Sequence, residues 1–132
     1  MGLVFLAANR DPAPEEVESS EPFAHVNYGG VYFFLYPGVQ RLRELTGELI
    51  DPQKNAYFRG STLTELEEFL ALSTESAMRE APEWNQRVGT MQSGEVWHQL
   101  TLRGDVLELL RRLGDATRAA RETGMGVLFW GE

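Results

Sequence analysis

A chain of 132 residues, 42% hydrophobic and 24% charged, has the size and composition of one globular domain with its own core, which excludes wholesale disorder. It carries no cysteine, so disulfides, thiolate nucleophiles and cysteine-based zinc sites are excluded together, and a reducing, cytoplasmic location is the expectation. Net charge is −8, from 12 basic and 20 acidic residues, a field that repels nucleic acid and speeds encounter with a basic protein.

That charge is uneven. Residues 1–102 hold 15 acidic and 7 basic residues, whereas residues 103–132 hold 5 of each. Solubility alone is the plainer explanation of the excess; a surface for a basic partner is the functional one.

The chain opens on Met1 to Ala8, MGLVFLAA, which is too short and lacks the basic start of a secretory signal. Residues 3–7 read as a strand. No apolar run approaches the ~20 residues of a membrane span, so no membrane association is expected. Asn9 to Pro22 holds 3 of the 6 prolines, five acids and one base. Little of it can be buried, and residues 9–22 are expected to form an exposed acidic loop.

Six of the fourteen aromatic residues follow in one window: Phe23, Tyr28, Tyr32, Phe33, Phe34 and Tyr36. At helical period Val31, Leu35, Val39 and Leu42 form a stripe, with Phe34 and Leu45 beside it, and Gly47 is placed to cap the C-terminus. Pro37 complicates this reading, because it removes a backbone bond and biases Tyr36 away from helix. A kinked helix keeps the stripe in phase across Pro37. A strand over 31–36 followed by a helix from Pro37 is the alternative, and aromatics favour strands.

Residues 48–60, ELIDPQKNAYFRG, predict a β-hairpin in which Leu49-Ile50 pairs with Ala56-Tyr57-Phe58 around an Asp51-Pro52 turn. Thr62 to Glu65 predicts a capping box for a helix running to about Ala81, where Pro82 stops it. Its apolar stripe is Leu63, Leu66, Phe69, Leu70, Ala77 and Met78. Glu68 and Glu75 lie opposite, flanked by Glu65 and Leu72.

Residues 84–102 alternate as strands, with a turn at Ser93-Gly94. Val96, His98, Leu100 and Leu102 share one face, and Trp97, Gln99 and Thr101 the other. A final helix over 104–123 buries Val106, Leu109, Leu110, Leu113 and Ala120. It carries Glu108–Arg112, Arg111–Asp115 and Arg118–Glu122 at i,i+4 spacing, and Gly124 caps it. Val127 to Trp130 reads as a strand buried on both faces. The fold class that follows is α+β: a single domain over 1–132 with about three helices packed on a small mixed or antiparallel sheet.

Chemistry is sparse. His25 and His98 are far apart and lack the convergent ligands a metal needs, so no metal and no cofactor is expected. His98, on an apolar strand face, reads as a hydrogen-bonded structural histidine. Asp51 is the best-placed carboxylate, but Asp-Pro is ordinary turn chemistry. Tyr28-Gly29-Gly30 would let backbone approach a phosphate at a helix start, yet a helix-entry turn accounts for the glycines equally well and no phosphate-loop lysine follows. Gly124-Met125-Gly126 follows a helix, the wrong place for a dinucleotide fingerprint. Arg111, Arg112 and Arg118 are interleaved with acids and make no nucleic-acid stripe. Tyr36, Tyr57, Trp84 and Trp97 are aromatic contact candidates, although core packing explains most of them.

Three stretches carry a resemblance: YGGVYFFLYPGVQRLRELTGELIDPQKNAYFRG, the helix leading into Pro82-Glu83-Trp84, and the closing VLFWGE. They resemble a group of small bacterial proteins similar to the immunity proteins of polymorphic and contact-dependent toxin systems. The resemblance covers most of the chain beyond Ala24. Its motifs are structural and bring no site residues. Such proteins often continue the hairpin as Asp-x-Tyr-Gly, from which Asp51-Pro52-Gln53-Lys54 departs. It implies a non-enzymatic protein that binds and neutralises a toxin. With the acidic excess, it directs attention to Glu65, Glu68, Leu72 and Glu75 as the partner-binding face, and to a basic toxin, such as a nuclease, as the partner. A homo-oligomeric scaffold or regulatory subunit, pairing exposed aromatics with a second copy as in a homodimer, is the alternative. An enzyme using Asp51 with His25 or His98 is the third.

Overall fold

The computed structural model describes residues 3–11, 15–16, 20–23, 29–90 and 92–131. Among them are six strands, β1 (Leu3–Ala8), β2 (Glu21–Pro22), β3 (Ala56–Phe58), β4 (Glu83–Thr90), β5 (Val96–Leu102) and β6 (Gly126–Gly131). Three helices accompany them: α1 (Gly30–Thr46), α2 (Ser61–Met78) and α3 (Arg103–Thr123). The fold is α+β and both sheets are antiparallel. One has four strands in the order β2-β1-β6-β3, and the other is the β4-β5 hairpin.

The last strand organises the core. Gly124 closes α3 in the left-handed region (φ 70°), and the chain then enters the sheet between β1 and β3. Val127, Leu128 and Phe129 are all buried, as a continuous apolar run in a central strand should be. Phe129 is the hub of an aromatic cluster. Its ring centroid lies 5.9 Å from Phe5, 5.9 Å from Phe23 and 5.6 Å from Phe58, the spacing at which tilted and edge-on ring pairs attract. Helix α3 packs on β1 and β6, with Val106, Leu109, Leu110, Leu113 and Ala120 buried as expected.

Helix α1 runs unbroken through Pro37, so residues 31–36 are helical. Its buried stripe is rotated from the expected one: Tyr32 joins Leu35, Val39 and Leu42, while Val31 and Phe34 are half-buried and Leu45 is exposed. Tyr32 can be buried because its hydroxyl donates to the Ile50 carbonyl at 2.8 Å. Gly47 caps the helix with φ 79°, its amide donating to the Arg43 carbonyl at 2.7 Å.

That same tyrosine bond helps explain why the predicted hairpin over 48–60 is absent. Ile50 is buried in the core, so Leu49-Ile50 turns inward and forms no strand. β3 pairs with β6 instead, and on its outer edge the Tyr57 amide donates to the Glu48 carboxylate at 2.8 Å. The predicted capping box is also absent. Gly60 (φ 62°) takes the N-cap position one residue before Ser61, which puts Thr62 inside the first turn. Its hydroxyl bonds back to Arg59, accepting from the amide at 2.8 Å and donating to the carbonyl at 3.0 Å. Helix α2 ends at Met78, earlier than Ala81, and Met78 is exposed there instead of buried; Leu70 is half-buried.

Residues 9–22 are only in part an exposed loop: Glu21–Pro22 forms β2 on the edge of β1. On α3, Arg111 reaches Asp115 at 3.0 Å and Arg112 reaches Glu108 at 3.9 Å, but Arg118 turns to Asp115 at 3.4 Å and not to Glu122. No helix among the described residues is long and apolar enough to cross a membrane.

Candidate interaction surface

Helices α1 and α2 cross at Gly38 and Phe69. A β-carbon on Gly38 would come 2.9 Å from Phe69 Cε1, so the close approach depends on the glycine. Above the crossing a shallow groove opens to solvent. Gly38, Arg41, Leu42 and Leu45 form one wall, and Glu65, Glu68, Phe69 and Leu72 the other; its volume is about 50 Å³. Leu45 and Leu72 are 54% and 40% exposed, one from each helix.

All four residues singled out on α2 lie on this side. Glu65 and Glu68 line the groove with Leu72. Glu75 is exposed on the same stripe of α2, a turn beyond the groove lining. Among the described residues none of these three carboxylates is ion-paired. The contrast is Glu67 on the next face, whose carboxylate lies 2.7 Å from Arg121 of α3 and ties the two helices together. That pairing, with its hydrogen bond, raises the Arg121 pKa above its ordinary value. Helix α2 therefore spends one acid on the fold and leaves three for solvent or a partner. Unpaired carboxylates around two exposed leucines can accept charge-assisted hydrogen bonds from arginine or lysine while the leucines exclude water.

The other sequence candidates separate. Asp51 makes a turn: its Oδ1 accepts from the Gln53 amide at 2.7 Å and its carbonyl from the Lys54 amide at 3.0 Å. His98 lies in the other sheet, exposed, so the structural-histidine reading is overturned: its strand face is apolar but points to solvent. His25 and Tyr28 lie outside the described residues. Among those described, no group of three or more His, Asp or Glu could hold a metal ion. Of the aromatic candidates, Tyr57 is buried and Tyr36 and Trp84 are half-buried. Trp84 lies tilted against Phe34 with ring centroids 5.1 Å apart, and only Trp97 of the four is exposed, at 56%.

Gly29-Gly30 has a structural explanation. The β4-β5 hairpin sits against the first turn of α1, where the Gly30 amide donates to Gln99 Oε1. A β-carbon on Gly30 would overlap the Thr101 hydroxyl. Gly30 lets the hairpin dock, and its amide, which could have met a phosphate, is occupied. A cavity of about 200 Å³ nearby is lined by Gln99, Asp105, Glu108 and Arg112 among others. Arg112 is already engaged there, donating to the Pro22 carbonyl at 2.8 Å.

Sequence reasoning missed the outward face of that hairpin. Leu100, Leu102 and Val96 are 59%, 42% and 40% exposed, whereas Thr101 between the leucines is buried. Alternation gave the two faces of β5, with Gln99 and Thr101 opposite the leucines, but no local signal says which face the start of α1 accepts; it is the one that carries Gln99, Thr101 and Trp84.

A scan against protein-family models, a search of curated proteins and a search of solved structures return no match for this chain.

Proposed function

We propose that the protein is a non-enzymatic, cytoplasmic binding module that neutralises a basic protein toxin, a nuclease in the most concrete form, by covering its active site. The observation that carries this reading is the set of unpaired carboxylates, Glu65, Glu68 and Glu75, arranged along α2 around Leu72 and across from Leu45. Nucleases present basic clefts to phosphate backbones. A protein that meets such a cleft with acids gains association rate and orientation from complementary charge, and exposed leucines inside the acidic field supply the apolar anchor. The resemblance to immunity proteins points the same way.

The test is calorimetric titration at low salt with any basic, toxin-like protein that is encoded beside the gene for this chain. Binding at micromolar affinity or tighter is expected. It should weaken steeply with added salt and by at least about tenfold in the variant E65Q/E68Q/E75Q. No binding at micromolar concentration would sink the reading. Binding that ignores both salt and the three substitutions would move the interface away from α2.

A further inference from the structure

The β4-β5 hairpin has one face against α1 and one in solvent, and its solvent face carries three exposed apolar side chains. In the register of the pair, Glu83 stands beside Leu102, Asn85 beside Leu100, and Arg87 beside His98. The register shift falls between Arg87 and Gly89, so these three rows are regular. Leu100 and Leu102 are adjacent on this face and Val96 lies beyond His98, all three exposed, and grouped exposed apolar side chains mark an interaction site on a monomer.

We propose that this face is the interface of a symmetric dimer, with the hairpins of two copies packed face to face. The arrangement of charge identifies the occupant. Glu83 and Arg87 lie on the same face four residues apart along β4, about 13 Å, too far to pair within one chain. Among the described residues neither is ion-paired. They are placed symmetrically about the Asn85–Leu100 row. A two-fold axis lying in the interface, perpendicular to the strands and crossing that row, reverses each copy along its strands. Leu100 then meets Leu100, and Leu102 meets His98 of the second copy. Glu83 meets Arg87 of the second copy, and the same pair recurs on the other side of the axis. An isologous contact requires this self-complementarity, and the geometry is the aligned packing usual for two sheets.

The interface is small. The rows that overlap across this axis, Glu83–Arg87 and His98–Leu102, cover about 16 Å by about 10 Å from strand spacing, far below the ~800 Å² per partner of a standard interface, so a weak, transient dimer is expected. It is independent of the α2 surface and of the toxin reading, and its test uses the chain alone.

Sedimentation velocity over about 1 to about 300 μM spans the relevant affinities. The unmodified chain is expected to pass from monomer to dimer across this range. L100E is expected to stay monomeric throughout, with circular dichroism showing an unchanged fold because Leu100 is exposed. E83R and R87E each place like charges opposite one another and should weaken the dimer at least about tenfold. The double reversal E83R/R87E should restore it to within about threefold, a rescue that general surface changes do not produce. A chain that is monomeric to the highest concentration overturns the proposal. So does an L100E variant that dimerises normally, or a double reversal as weak as the singles.

Discussion

Tyr57 spans Gly126. A β-carbon on Gly126 would come 2.6 Å from Tyr57 Cζ, and the hydroxyl beyond it donates to the Ala8 carbonyl at 3.0 Å. A side chain from β3 thus crosses the whole width of β6 and bonds to β1. The edge strand has only three residues, and this bridge anchors it to more than its immediate neighbour.

Gly126→Ala is therefore expected to destabilise by about 1–3 kcal/mol, because the added methyl meets the Phe58 carbonyl oxygen at 2.5 Å as well as the Tyr57 ring, and the ring has nowhere to move without losing its hydroxyl bond. Tyr57→Phe keeps the ring and loses about 1 kcal/mol. Urea denaturation of both variants reads these costs directly. A Gly126→Ala chain as stable as the parent would show that neither the tyrosine ring nor the β3 backbone lies this close to β6.

Phe129→Ala should be the most damaging single truncation in the sheet. It removes the ring that Phe5, Phe23 and Phe58 all touch, and a buried phenylalanine truncated to alanine costs about 3–5 kcal/mol. Phe69→Ala, at the α1–α2 crossing and away from that cluster, gives an independent comparison. Its cost should add to that of Phe129→Ala within about 0.5 kcal/mol if the two sites are uncoupled.

Gly30→Ala tests the docking of the hairpin. The added methyl overlaps the Thr101 hydroxyl, so the hairpin must shift from the start of α1. Trp84, which lies tilted against Phe34 of α1 at 5.1 Å, reports the change through its fluorescence. Combining Gly30→Ala with Thr101→Ala should recover part of the loss, because the overlapping oxygen is gone.

Acid acts on α3. The Arg111 guanidinium, hydrogen-bonded to Glu108 at 2.6 Å, holds the Glu108 carboxyl below the ordinary glutamate range. A depressed folded-state value means the pair's contribution is complete above that range and disappears as pH falls through the folded value. Carboxyl-carbon NMR titration of Glu108 should show a midpoint below that of an unperturbed glutamate. In Arg111→Ala it should rise, although Arg112 also lowers it.

Where the sequence was legible, periodicity and capping agreed. Helix α3 was readable because five apolar positions at helical spacing end in a glycine cap, and β6 because four apolar residues, Val127 to Trp130, run together shortly after it. Helix α1 was harder, since aromatic residues suit both periods; the buried hydroxyl of Tyr32 and its bond to Ile50 settle which face turns inward, and no local pattern shows a partner 18 residues away. The hairpin over 48–60 failed for the same reason: turn chemistry at Asp51-Pro52 is local, whereas the choice of β6 as the partner of β3 is not. On the α2 surface the alignment of Glu65, Glu68, Leu72 and Glu75 followed from helical spacing alone. The opposing wall, Arg41 and Leu45, came only with the crossing at Gly38. The outward direction of the β5 leucines was not legible, because alternation gives two faces and does not say which one a neighbour will accept.

The shallow seat of the hairpin on Gly30 divides the molecule into two tiers. Amide protons of β4 and β5 are held by a two-stranded ladder whose outer side is wet, and those of β6 by neighbours on both edges and by the burial of Val127, Leu128 and Phe129. Deuterium should accordingly enter the hairpin by an opening that leaves Phe129 and its ring cluster undisturbed, while β6 surrenders its protons only when the entire chain unravels.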